Sequence, residues 1–134
     1  MTYTFIVPGA PVPKARPRFS RNGHTYTDKK TLDYERTVRL AYTVAKHDKL
    51  TGAIKATMLF YLPIAASDSK AKKFAKLRGE IRPTGHVGDT DNYQKSILDS
   101  INGVAYEDDC QVVEIHAEKW FSDNPRAVIT LEEV

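Results

Sequence analysis

One cysteine, one tryptophan and two methionines occur in 134 residues, and no apolar run approaches the ~20 residues that a membrane-spanning helix requires. The N-terminus lacks the basic, apolar, small-residue pattern of a secretory signal, so a soluble protein of the cytoplasm is expected. Cys110 has no partner for an intramolecular disulfide. A small packed side chain accounts for it more simply than a redox switch beside Asp109. No glycine-rich phosphate loop, serine nucleophile elbow or cysteine pair is present. His24, His47, His86 and His116 are scattered without the paired spacing of zinc ligands. A chain of this length builds one core, so a single domain over residues 1–134 is expected.

What the chain does have is charge, unevenly placed. The net charge is only +3, yet residues 1–88 carry 17 Lys/Arg against 6 Asp/Glu, and residues 89–134 carry 3 against 11. A polyanion would be attracted by the first part and repelled by the second unless cations neutralised it. The basic side chains are grouped. Lys14, Arg16, Arg18 and Arg21 alternate with Phe19, His24 and Tyr26 in a proline-interrupted loop, and Lys70, Lys72, Lys73 and Lys76 follow one another farther along. Cations interleaved with aromatics suit backbone phosphates and unstacked bases, so these eight residues are candidate nucleic-acid contacts.

Periodicity gives an order of elements. Thr2 to Val7 alternates as a strand, and a long helix is expected from Asp28 to Asp48 on the repeat of Tyr34, Val38, Ala41 and Ala45. Ile54 to Leu62 reads as a strand, Ser67 to Gly79 as a short lysine-rich helix and Thr90 to Ile101 as a helix closed by Asn102-Gly103. Val104 to Tyr106 is a candidate short strand. Val112 to Phe121, a turn at Ser122-Asp-Asn-Pro125 and Arg126 to Leu131 suggest a closing antiparallel hairpin. The class is therefore α+β, a two-layer domain with a mixed sheet flanked by helices.

Chemistry concentrates between Asp89 and Gln111. In the helix from Thr90, Tyr93, Ile97 and Ile101 form one stripe with Leu98 at its margin, and Asp91, Lys95 and Asp99 a second about 140° from the centre of that widened stripe, so one face packs and the other is left for chemistry. Asp89 and Asp91 at the helix entrance invite a capping explanation, but one cap suffices. Crowded carboxylates repel by up to about 4 kcal/mol per close pair at an effective dielectric near 20, a cost that a divalent cation relieves. Hard oxygen donors of this kind suit Mg2+, with Asp109 as a third contributor. Lys95 has two readings: an i+4 partner for Asp91, or a positive charge for a phosphoryl transition state.

Asp89-Thr-Asp91-Asn92, Lys95 and Asp108-Asp109-Cys-Gln111-Val112 together resemble the signature of the RusA family of Holliday-junction resolvases, and the opening strand, Pro-Val-Pro-Lys-Ala-Arg-Pro-Arg-Phe loop, long helix and middle strand fall in that family's order. The resemblance implies that Asp89, Asp91 and Asp109 bind Mg2+ and that Lys95 is needed for cleavage. It further implies a homodimer with two sites facing branched DNA, cutting a four-way junction symmetrically by attack of water on a phosphodiester, in phage or prophage recombination and in DNA repair. Two rival readings stand beside it: a junction-binding module without hydrolysis, and a metal-dependent nuclease acting on flaps or RNA.

Overall fold

The computed structural model describes residues 1–14, 21, 23, 28–45, 48–84 and 88–134 in full, and the backbone of 18–19 and 25–26. Strands β1 (Thr2–Pro8), β2 (Arg18–Phe19) and β3 (Thr25–Tyr26) precede helix α1 (Lys29–Val44). Strand β4 (Ile54–Pro63), helices α2 (Lys70–Leu77) and α3 (Thr90–Ser100), and strands β5 (Val112–Ser122) and β6 (Arg126–Glu133) follow. The main sheet has the order β1-β6-β4-β5, with β2 and β3 forming a separate ribbon. Strands β1 and β4 both run antiparallel to β6, and β4 runs parallel to β5. The fold is thus α+β with a mixed four-stranded sheet, as its alternating strands and amphipathic helices suggest.

The strand alternation defines a single core face. Ile54, Ala56, Met58, Phe60 and Leu62 of β4 are buried with Ala127, Ile129 and Leu131 of β6 and Phe5 and Val7 of β1. Helices α1 and α3 cover that face with Tyr34, Val38 and Tyr42, and with Tyr93, Ile97 and Ile101. Ring pairs join the layers: Phe5 meets Tyr42 edge-on and Phe60 meets Tyr93, each with centroids 5.3 Å apart. Removing this apolar area from water is the main stabilising term. Helix α1 begins where Asp28 accepts a hydrogen bond from the Thr31 amide at 2.9 Å, and ends at Val44, short of the expected Asp48.

Two expectations from the sequence are corrected. Strands β5 and β6 are joined by a turn but do not pair; β4 lies between them, parallel to one and antiparallel to the other. A parallel pair needs a long crossover, and α2 and α3 supply it between β4 and β5. Residues 104–106 form turns with one isolated bridge, Asn102 to Tyr106, rather than a strand. Among the described residues no helix is long and apolar enough to cross a membrane.

Candidate active site

Helix α3 opens at Asp89, which occupies the N-cap with extended backbone yet makes no side-chain capping bond. The capping explanation for this aspartate therefore fails, and its carboxylate stays exposed at the positive end of the helix dipole. The approach to it is built tightly. Gly88 has φ +105°, and a Cβ there would meet Pro13 Cγ at 3.1 Å and Tyr93 Cε2 at 3.2 Å. Lys119 Nζ of β5 donates to the Gly88 carbonyl at 2.9 Å, tying the loop to the sheet. Across the first turn, the Lys14 amide donates to the Asn92 carbonyl at 2.9 Å, which lays the N-terminal loop against α3.

Asp91 and Lys95 are both exposed on the face opposite the buried Tyr93 and Ile97. Among the described residues they form no ion pair with each other, so Lys95 is not the helix-stabilising partner of Asp91. One turn farther, Asp99 pairs with Lys14 Nζ at 3.3 Å, and Glu35 of α1 holds the same ammonium at 2.6 Å. Burial works to lower the Lys14 pKa, but the hydrogen bonds and charges of Glu35 and Asp99 outweigh it and hold the ammonium above its usual range. Lys14, expected to meet phosphate, is instead committed to two carboxylates within the fold.

The late acidic segment divides its labour. Gln111 Oε1 accepts from the Glu107 and Asp108 amides at 2.9 and 3.1 Å, and its Nε2 donates to the Gly52 carbonyl at 3.1 Å. Gln111 thus fixes the turn that carries Asp109. Hydrogen bonds from Cys110 and Asp109 hold Asp108 below the usual carboxylate range. Partial burial, the hydrogen bond and charge of Asp108 and the charge of Asp99 together raise Asp109. Cys110 is exposed rather than packed, and its hydrogen bond to Asp108 pushes the thiol upward, which disfavours the reactive thiolate.

Asp109 therefore lies in the field of Asp99, eight residues and about 12 Å of helix rise beyond Asp91. Among the described residues no three His, Cys, Asp or Glu side chains form a group that could hold a metal ion. Donor chemistry nonetheless fits a hard divalent cation, because such an ion can bind through one or two carboxylates and draw its remaining ligands from water and phosphate. Asp89 and Asp91 provide that minimum at one end of α3.

Of the proposed phosphate contacts, Arg16 and the side chain of Arg18 lie outside the described residues, and Arg21 is exposed. On α2, Lys70 and Lys72 are exposed and Lys73 is half-buried. Lys76 is a correction: it is buried, ion-paired with Asp68, and stands 4.4 Å from the centroid of the Phe121 ring. The sequence reading passed over Glu35, Lys119 and Gly88, whose roles depend on partners distant along the chain.

A model of the family described as endodeoxyribonuclease RusA matches residues 8–132, nearly the whole chain. The chain is also similar to an uncharacterized protein of Bacillus subtilis (strain 168), YqaN, with 35% identity over 136 aligned positions covering 97% of this chain and 95% of that protein.

Proposed function

Because the chain belongs to the RusA endodeoxyribonuclease family, we propose that it is a Mg2+-dependent, structure-selective nuclease that resolves four-way DNA junctions by paired, symmetric cuts. In this reading it acts as a homodimer in the cytoplasm, in phage or prophage recombination and in repair. The observation that carries the proposal is the entrance of α3. Two exposed aspartates sit there, the first not used as a cap, with an exposed lysine one turn beyond that does not pair with the second.

Asp89 and Asp91 are the proposed primary ligands of the cation; Asp109, set beside Asp99 farther along α3, is proposed to join them in the DNA-bound state rather than in the free chain. When bound, Mg2+ supplies Lewis-acid charge to the phosphoryl oxygens. Lys95 adds a fixed positive charge on the same face, aimed at the negative charge that grows as the phosphodiester is attacked, or it orients the water. Gly88 and Lys119 hold Asp89 in place, and the exposed lysines of α2 bind flanking phosphates. A four-way junction has two equivalent strands to cut, and one such site per chain makes a two-fold dimer the simplest arrangement.

The lack of a three-carboxylate group among the described residues favours one rival, a module that binds junctions without hydrolysing them. Isothermal titration of Mn2+ as a Mg2+ substitute, with and without junction DNA, separates the two. Binding that requires Asp89 and Asp91 and strengthens with DNA supports the nuclease; no binding in either condition supports the module.

A further inference from the structure

Helix α2 is inverted with respect to ordinary amphipathic helices. Its buried side chain is Lys76, held by Asp68 and capped by the Phe121 ring, whereas its largest apolar side chains, Phe74 and Leu77, are 53% and 44% exposed. A charged residue is buried only when paired, and an amphipathic helix normally turns its apolar stripe inward. The register explains how the inversion is fixed: Lys72 and Lys76 lie one turn apart, and both reach Asp68. That pairing turns Phe74 outward. On the outer face, Lys70 stands one turn before Phe74 and Arg78 one turn after, each about 40° around the helix from it. An open groove of about 320 Å³ adjoins the helix at Lys73 and Leu77, walled by Pro63, Ile64, Ala66 and Pro125 and carrying one charge of each sign, Lys73 and Asp123.

Arg78 is paired with Glu80 at 3.0 Å, which leaves Lys70 and Lys73 as the cations beside Phe74; an exposed phenylalanine with two lysines at its side has the composition of a surface that stacks a base and holds the adjoining phosphates. The face keeps an excess of cations, Lys70, Lys73 and Arg78 against Glu80 and Asp123, which suits a polyanion better than a second copy of the same face. Its position also fits. Pro63 and Ser122 close the parallel strands β4 and β5, and both line spaces around α2; Tyr93, in the first turn of the acidic helix, faces the same end of the sheet through Leu62 and Pro63.

We propose that Phe74 is a base-stacking residue that engages an unstacked nucleotide at a DNA branch point, with Lys70 and Lys73 on the flanking phosphates, and so contributes to selectivity for branched over linear DNA. This rests on the reading of the protein as acting on branched DNA, but the stacking contact can be measured independently of cleavage. The probe is 2-aminopurine, placed at the branch point of a synthetic four-way junction, in the middle of a linear duplex and in a single-stranded oligonucleotide, all titrated in EDTA.

The unmodified protein is expected to change 2-aminopurine emission in the junction and the single strand but not in the duplex. Phe74→Ala should abolish that change and weaken junction affinity about tenfold, with duplex affinity and melting temperature unchanged; Phe74→Trp should restore both. Equal emission changes and equal junction affinities for the unmodified protein and Phe74→Ala would overturn the proposal. Loss of oligomer on sedimentation of Phe74→Ala would overturn it too, by assigning the face to a second copy. Failure of the unmodified protein to prefer junction over duplex, with the single-strand signal still dependent on Phe74, would refute branch selectivity while retaining stacking.

Discussion

At the scale of single residues, Lys95 separates a structural role from a chemical one. With no ion pair to Asp91 to lose, Lys95→Ala should leave the melting temperature unmoved. If Lys95 supports transition-state charge, single-turnover cleavage should fall by about a hundredfold or more, the scale of losing one preorganised electrostatic group. An arginine there should restore little, since its planar head is broader than an ammonium. Thermal melts and single-turnover rates on the same preparations decide between the roles, and an unchanged rate would remove Lys95 from the chemistry. Gly88 tests the positioning of the neighbouring aspartate. Any Cβ there combines a strained positive φ with contacts to Pro13 and Tyr93 at 3.1–3.2 Å. Gly88→Ala should therefore cost about 1–3 kcal/mol in chemical denaturation and lower Mn2+ affinity as Asp89 shifts. Unaltered stability and metal affinity would mean that the loop relaxes without moving its carboxylate.

At the scale of elements, the lysines of α2 are not interchangeable. Lys76→Met removes the buried cation facing Asp68, so the melting temperature should fall, whereas Lys70→Ala and Lys73→Ala should leave it in place and weaken DNA binding. The hydrogen bond and charge of Lys76 hold the Asp68 carboxyl below its usual range. A lowered carboxylate pKa contributes stability above the unfolded value and loses it as pH falls through the folded value. Acidification from neutral pH through the carboxylate range should therefore depress the melting temperature of the unmodified protein more steeply than that of Lys76→Met; parallel curves would deny the pair this role. The same helix illustrates what sequence can and cannot convey. Its presence was readable, expected from Ser67 to Gly79 and found over Lys70–Leu77, but the burial of Lys76 depends on where Asp68 falls in space, and a lysine run looks the same whether or not one member turns inward. Likewise, Ser122-Asp-Asn-Pro125 announces a turn without revealing that β4 inserts between the strands it joins. By contrast, the stripe of Tyr93, Ile97 and Ile101 was legible because helical period alone decides which face is apolar, and the exposure of Asp91 and Lys95 followed from it.

At the scale of the whole molecule, a basic N-terminal portion and an acidic C-terminal portion fold together, with α2 and the first turn of α3 both reaching the Pro63 end of β4. Binding to DNA should therefore weaken steeply with salt, and each exposed lysine of α2 changed to alanine should flatten the log–log slope by about one unit. Slopes identical to the unmodified protein would reduce those lysines to solubilising charge. The central claim, that this chain cuts branched DNA with the aspartates at the entrance of α3, is tested most directly by strand cleavage of a synthetic four-way junction with and without Mg2+, comparing the unmodified protein with Asp89→Asn, Asp91→Asn and Asp109→Asn. Linear duplex, flap and RNA substrates serve as controls. The expected result is Mg2+-dependent, paired and symmetric nicking of the junction alone, reduced by orders of magnitude in each variant while junction binding persists. Near-normal cleavage by Asp89→Asn, or cleavage of linear duplex as fast as the junction, would contradict the account.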